Sequence, residues 1–514
     1  MTKTALAIAA SILFPSALLF APPASAQAAK DADKAGAEKE KKGESDKPAP
    51  PPVVTTHEIS IAGKPLRYTA TAGYLPMKDE EGKLKANIFF TAYTKDGADP
   101  GRRPITFAFN GGPGSSSVWL HLGALGPRRV VMADEGWALA PPYRLADNPD
   151  TWLAFTDLVF IDPVTTGFSR PAPGEKPEQF HGLTEDIQSV GDFIRLYATR
   201  YQRWASPKFL AGESYGTTRA AGLSGYLQGR YGMYLNGITL VSSVLNFQTI
   251  SFGSGNDLPY IMFLPSETAA AWYHKKLSPE LENDFDAAIA EARKFATGDY
   301  ALALLAGDRL PADRRAAIGR TLARLTGISP DFIERHDLRI NAGDFFAELL
   351  RAEGNTIGRL DARFTRPAIP DSDGGFAEDP SYEAIYGTYT ALLNGYLRSD
   401  LKYENDIPYE ILTGRVSPWK FPEGRYPEVA ATLRDAMVQN PSLKVFVAAG
   451  YYDFATPFFG AEYTVDHLGL PPALRGNVTL DHFPAGHMMY IQKSSLERLA
   501  KDVEGFYEKS STPR

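Results

Sequence analysis

The chain has 514 residues, 44% of them apolar and 22% charged, a formal net charge of −7 and no cysteine. At about 100 to 200 residues per domain, this length allows several domains, or one large domain with an insertion. The acidic balance speaks against a nucleic-acid partner, which needs clustered positive charge. The lack of cysteine excludes thiol nucleophiles, thiolate metal sites, a lipidated N-terminal cysteine and disulfides.

At the N-terminus, Lys3 precedes the apolar run A-L-A-I-A-A-S-I-L-F-P-S-A-L-L-F-A, and small residues follow at Ala24 and Ala26. This layout predicts a secretory signal peptide over residues 1–26, cut after Ala26. The run is interrupted by Pro15 and is short for a membrane span of about 20 residues. The mature protein is therefore expected to be exported, periplasmic or extracellular, with no membrane anchor. Residues 27–54 are rich in Ala, Lys, Glu, Asp and Pro and have almost nothing to bury, which predicts a disordered linker.

Buried-type strands then alternate with helical patterns. P-I-T-F-A-F-N (104–110), D-L-V-F-I-D (157–162), K-F-L-A-G (208–212) and G-I-T-L-V-S-S (237–243) are apolar runs bounded by turn residues, as in parallel strands covered on both faces. Before the third, T-E-D-I-Q-S-V-G-D-F-I-R-L-Y repeats apolar residues at helical spacing, with Thr184 as the expected N-cap. Residues 253–400 read instead as amphipathic helices with no strand alternation between them. Strand patterns return at L-K-V-F-V-A-A-G (443–450) and N-V-T-L-D-H-F (477–483). The fold class is α/β, with a mostly parallel sheet. The core occupies 55–252 and 401–514, and 253–400 is a helical cap insertion.

The chemistry sits at the ends of these strands. G-E-S-Y-G (212–216) follows one strand and opens a helix. Gly212 and Gly216 permit a sharp turn that lifts the Ser214 hydroxyl above the sheet, at a helix N-terminus. A serine nucleophile needs a base, and the base needs an orienting acid. In this fold class they follow in the order serine, acid, histidine. Asp453 in G-Y-Y-D-F-A-T-P and His487 in P-A-G-H-M-M each stand just past a strand. His482 is a rival base but lies within the strand pattern. An oxyanion hole needs the N–H after the nucleophile, Tyr215, and a second one from a glycine-rich loop. F-N-G-G-P-G-S-S-S (109–117) supplies such a loop, with Gly111 and Gly112 allowing close approach. A phosphate cradle is the competing use of that loop, but no G-x-x-x-x-G-K pattern exists.

F-N-G-G-P-G-S-S-S, D-N-P-D-T-W with V-F-I-D-P-V-T-T-G-F-S, G-E-S-Y-G, G-Y-Y-D-F-A-T-P and P-A-G-H-M, in this order, resemble the serine carboxypeptidase family, peptidase family S10, and a bacterial-type member of it. The resemblance implies an α/β-hydrolase fold with a helical insertion, a triad of Ser214, Asp453 and His487, and oxyanion donors on Gly112 and Tyr215. It implies that Asn110, Gly111 and Glu213 hold the free C-terminal carboxylate of a peptide substrate. Met488 borders the pocket for the departing residue by the same resemblance, or packs in the core. Two carboxyl groups can share a proton only if one is neutral, which favours acidic pH.

The departures are informative. A second glutamate, common in the family, falls at Ala124, and Arg128 or Arg129 is a candidate to bind the carboxylate in its place. The glutamine usually found after Asp162 is missing, as are the disulfides. The expected activity is that of a secreted serine carboxypeptidase, which requires no metal and no organic cofactor. An esterase or acyltransferase on the same scaffold shares the acyl-enzyme and differs in its acceptor. A non-catalytic binding protein would be marked by a lost triad residue.

Overall fold

The computed structural model describes residues 50–369 and 379–511. The predicted signal peptide and residues 27–49 of the linker lie outside these. The linker was expected to reach residue 54, but Val53 and Val54 already pair with Ala72 and Thr71. A β-branched run directly after the prolines favours a strand there.

The strands are β1 (Val53–Ile61), β2 (Lys64–Lys78), β3 (Leu84–Lys95), β4 (Ile105–Phe109), β5 (Arg128–Val130), β6 (Leu145–Asp147) and β7 (Asp157–Ile161). They continue with β8 (Arg170–Pro171), β9 (Lys208–Glu213), β10 (Gly237–Val241), β11 (Asn355–Ile357), β12 (Thr365–Pro367), β13 (Lys444–Gly450) and β14 (Val478–Phe483). The main sheet runs β1-β2-β3-β7-β4-β9-β10-β13-β14, with β8 against β3. From β7 to β14 every neighbouring pair is parallel. β1 to β3 form an antiparallel meander at one edge, and β3 joins β7 antiparallel.

The central strands are buried along their whole length, which is why they read as continuous apolar runs. Side-chain alternation then splits them between two cores. Phe107, Val159, Leu210, Ile238 and Val447 pack with Phe193 and Tyr197 of the helix Leu183–Arg200 and with Leu433 of the helix Ala430–Gln439. On the other face Ala108, Phe160, Ala211, Val241 and Ala448 pack with Leu499, Val503 and Tyr507 of the C-terminal helix Lys493–Ser511. The helix Leu183–Arg200 starts one residue before the expected cap, and Gly182 holds the cap position. Gly182 pairs with Lys420, and Leu183 N–H donates to the Lys420 carbonyl (2.9 Å), so the chain enters the helix directly from a bridge.

Between β10 and β13 the chain builds the helices Leu258–Tyr273, Phe285–Phe295, Ala312–Thr326 and Pro380–Ser399 with shorter ones between them. Three of the four share a third core, in which Phe263, Ile289 and Leu322 meet Phe454 from beyond β13. This region was expected to hold no strands. It also contains the antiparallel pair β11–β12, whose strands of three residues are too short to show alternation. Among the described residues no helix is long and apolar enough to cross a membrane.

Candidate active site

Ser214 joins β9 to the helix Tyr215–Tyr231 in one step. Its φ of 59° and ψ of −131° are outside the regions a serine favours, a strain of about 1 to 3 kcal/mol that the surroundings must hold. The flanking glycines make the turn possible. A Cβ on Gly212 would stand 2.2 Å from the Gly216 carbonyl oxygen, and one on Gly216 would stand 2.8 Å from the Phe109 carbonyl oxygen. The turn is pinned by Ser214 N–H donating to the Val241 carbonyl (3.0 Å) and by Thr217 N–H donating to the Ser214 carbonyl (2.8 Å).

The glycine loop lies directly against this turn. A Cβ on Gly111 would approach the Tyr215 nitrogen to 2.4 Å, so the two backbones touch and only glycine fits. Gly112 has φ of +101°. Arg219, on the first turns of the helix, braces both sides. Its guanidinium is 1% exposed, lies between the rings of Phe109 and Tyr215 and donates to the Asn110 carbonyl (2.7 Å) and to Asp186 (2.7 Å).

His487 and Asp453 meet from two different loops. Nδ1 of His487 is 2.8 Å from Oδ2 of Asp453, and Asp453 has no exposed surface. The other carboxylate oxygen accepts from Ala455 N–H (2.7 Å) and Thr456 N–H (2.9 Å), and Thr456 Oγ1 donates to Oδ2 (2.8 Å). A carboxylate so supplied with donors fixes His487 with its Nδ1 proton toward Asp453, leaving Nε2 for the pocket. Burial disfavours the imidazolium, but the charge and hydrogen bond of Asp453 and the charge of Glu213 outweigh it and raise the His487 pKa.

Ser214, His487, Glu213, Asn110, Gly111 and Gly112 all line one pocket of about 520 Å³, partly open to solvent, and Met488 lines it as well. Tyr215 does not line it, although its backbone nitrogen lies beside Gly111, and Asp453 is bonded to the far side of His487. His482 is not in the pocket; its Nε2 pairs with Glu462 (2.6 Å). Glu213 is 3% exposed and accepts from the Tyr490 hydroxyl (2.5 Å). Burial raises its carboxyl to about 7, against the lowering influence of His487 and Tyr490. The Asn110 side-chain nitrogen also approaches Glu213 but reaches hydrogen-bonding geometry with no partner, leaving a buried donor unused.

Sequence reasoning missed the pocket's remaining wall. Trp119, Tyr382, Ile385 and Leu412 make it apolar, and Arg359 and Leu360 enter from the region between β10 and β13. Short motifs mark none of these. Arg128 and Arg129 do not line the pocket. They lie on β5, where Arg128 pairs with Asp147 of β6 (2.6 Å). Ala124 is fully buried. The D-N-P-D-T-W motif serves the local fold: Asn148 donates to the Ala124 and Gly126 carbonyls (2.7 and 2.9 Å) and Thr151 to the Leu125 carbonyl (2.7 Å), satisfying the end of a helical turn. The loop after Asp162 is also structural. Asp162 accepts from Ser117 N–H (2.9 Å), tying the glycine loop to β7. Among the described residues no cluster of three or more His, Asp or Glu could hold a metal ion.

Comparison with known proteins finds serine carboxypeptidases. Among curated proteins, carboxypeptidase Y of Schizosaccharomyces pombe is 26% identical over 197 residues, covering 37% of this chain and 18% of its own. The pheromone-processing carboxypeptidase KEX1 of Komagataella phaffii is 32% identical over 164 residues, covering 30% and 23%. The chain thus spans about a fifth of the length of these curated relatives. Both are yeast proteins, and the bacterial-type expectation is not borne out. Among solved structures, a prohormone-processing carboxypeptidase from Saccharomyces cerevisiae superposes with a TM-score of 0.55 at 17% identity, over 85% of this chain and 91% of that one, a likeness of fold. Residues 61–278 match the family model described as serine carboxypeptidase. That stretch runs from the end of β1 past β10 and contains both the glycine loop and the Ser214 turn, so the part of the chain that resembles serine carboxypeptidases includes both.

Proposed function

We propose that this protein is a serine carboxypeptidase that releases C-terminal amino acids from peptides. The observation that carries the reading is the convergence of Ser214, His487 and Glu213 on one pocket, with Asp453 bonded to the far side of His487. In this reading Ser214 Oγ attacks the carbonyl carbon of the last peptide bond while His487 Nε2 takes the hydroxyl proton. The oxyanion forms against the N–H groups of Gly112 and Tyr215. The C–N bond then breaks, the proton passes from His487 to the leaving amine, and water, deprotonated by the same histidine, releases the acyl group from Ser214.

Asn110, Gly111 and Glu213 receive the substrate's free carboxylate, and Met488 with the apolar wall receives its side chains. The buried, unused Asn110 amide supports that role, because an unpaired buried donor costs about 1 to 3 kcal/mol unless a ligand satisfies it. The related carboxypeptidases do not favour the esterase or acyltransferase alternative. The N-terminal residues support export through a signal peptide over 1–26 and a linker that ends before β1, and the helices between β10 and β13 support a cap formed by 253–400.

The test is mass spectrometry of N-blocked dipeptides incubated with the protein from Gln27 onward. Loss of one residue from free acids, absent from amides and from the Ser214→Ala variant, is the expected result. Equal turnover of amides or simple esters would overturn it.

A further inference from the structure

The pocket holds one permanently charged cation among its described lining residues, Arg359, and it comes from the region between β10 and β13 rather than from the sheet. The backbone that carries it is tied at successive groups. Arg359 N–H donates to Asp379 Oδ1 (3.0 Å), and Leu360 N–H donates to Ser381 Oγ (3.0 Å). The Arg359 carbonyl accepts from Phe454 N–H (3.1 Å), next to Asp453, and the Leu360 carbonyl accepts from His487 N–H (2.6 Å). Asp361 Oδ2 accepts from Gly486 N–H (3.0 Å). Three consecutive residues are therefore fixed to the two loops that carry Asp453 and His487.

The Arg359 charge is felt inside the site. It opposes protonation of His487, while Asp379 and Asp453 act on Arg359 in turn. A guanidinium stays protonated at any working pH and matches a carboxylate in shape and hydrogen bonding. A pinned backbone loses little freedom when such a side chain engages a ligand. Glu213 and Asn110 line the same pocket. An anion entering there meets a residue of permanent positive charge in the pocket lining.

We propose that Arg359 is a carboxylate-binding residue of this pocket, which selects peptides ending in a free α-carboxylate over those ending in an amide. The proposal rests on the carboxypeptidase reading and names the residue that enforces it. Arg128 and Arg129 have no part in it.

The test separates binding from turnover. In the Ser214→Ala background, calorimetry measures Kd for an N-blocked dipeptide ending in leucine and for its C-terminal amide. With Arg359 present the acid should bind at least tenfold more tightly than the amide. Arg359→Gln should remove most of that preference, and Arg359→Lys, which keeps the charge and safeguards the fold, should retain part of it. A preference undiminished in Arg359→Gln, or no preference with Arg359 in place, overturns the proposal. So does a loss confined to peptides with Asp or Glu at the last residue, which would make Arg359 a side-chain selector. Acid-selective binding by a protein that hydrolyses no peptide when Ser214 is present would sink the carboxypeptidase reading and leave the role of Arg359 standing.

Discussion

Arg219 reaches under the Ser214 turn and donates to the carbonyl of Asn110 at 2.7 Å, across the boundary between helix and glycine loop. One buried side chain thus sets the distance between the helix that follows Ser214 and the loop proposed to carry an oxyanion donor. Its second bond, to Asp186 at 2.7 Å, anchors both to the neighbouring helix. Arg219→Met should leave Asp186 buried without a counter-charge and destabilise the protein by about 3 to 5 kcal/mol, read as a lower urea midpoint. The double variant Asp186→Leu/Arg219→Met should recover much of that stability but not the activity, because the Asn110 carbonyl stays untethered. Full recovery of kcat in the double variant would show that the tether to Asn110 is dispensable.

Asp453→Asn should lower kcat by about ten-thousand-fold with little change in KM, because an amide no longer enforces the Nδ1 proton on His487. Thr456→Val removes only a supporting hydroxyl and should cost about 1 kcal/mol of stability. Steady-state kinetics beside chemical denaturation distinguish the two effects. A mild Asp453→Asn phenotype would remove Asp453 from the proposed triad.

Glu213 gives the site a pH signature. Its carboxyl, held near 7 by burial, is neutral below that pH and able to share a proton with the substrate's carboxylate. Above it, two negative charges face each other, so KM for peptide acids should rise as pH passes through about 7. Glu213→Gln should flatten that rise. Stability follows the same titration. The folded state holds this proton more tightly than the unfolded chain, whose carboxyl has a pKa of 4.5. The extra stability is therefore full below the unfolded value and is lost between 4.5 and about 7. Glu213→Gln should raise the melting temperature more at pH 8 than at pH 5, and an equal shift at both would contradict the raised pKa.

Gly111→Ala tests the contact between loop and turn. The added methyl would stand 2.4 Å from the Tyr215 nitrogen and 2.7 Å from the Gly216 nitrogen, too close for either backbone to tolerate. The loop must move, and with it the neighbouring Gly112. The expected result is a loss of at least a hundredfold in kcat/KM, with a stability change of about 1 to 3 kcal/mol. A fully active Gly111→Ala protein would mean that the loop is free to relax and is not part of the site.

The parallel strands were legible in the sequence because strands buried on both faces are dominated by apolar residues, and β4, β7, β9 and β10 are buried at every position. The meander β1–β3 was not read, because β1 buries only Ile59 fully and alternates half-buried with exposed positions in a largely polar sequence. Ser214, Asp453 and His487 stood out because each follows a strand at the end where an α/β sheet builds its clefts. Arg359 did not. Its neighbours G-R-L-D-A-R form no pattern, and only the fold brings them to His487. Nearness in sequence to the glycine loop drew attention to Arg128 and Arg129, yet the short hairpin β5–β6 carries Arg128 to Asp147 instead.

The bonds from Leu360 and Asp361 to the segment that carries His487 have a bearing on how such an enzyme could be re-engineered. Grafting a different cap onto this sheet would alter more than the walls of the cleft. It would also withdraw two of the props under the imidazole. A chimaera that keeps residues 359–361 and replaces the remainder should preserve the rate of the chemical step while changing which peptides are accepted; one that replaces all of it should lose both together.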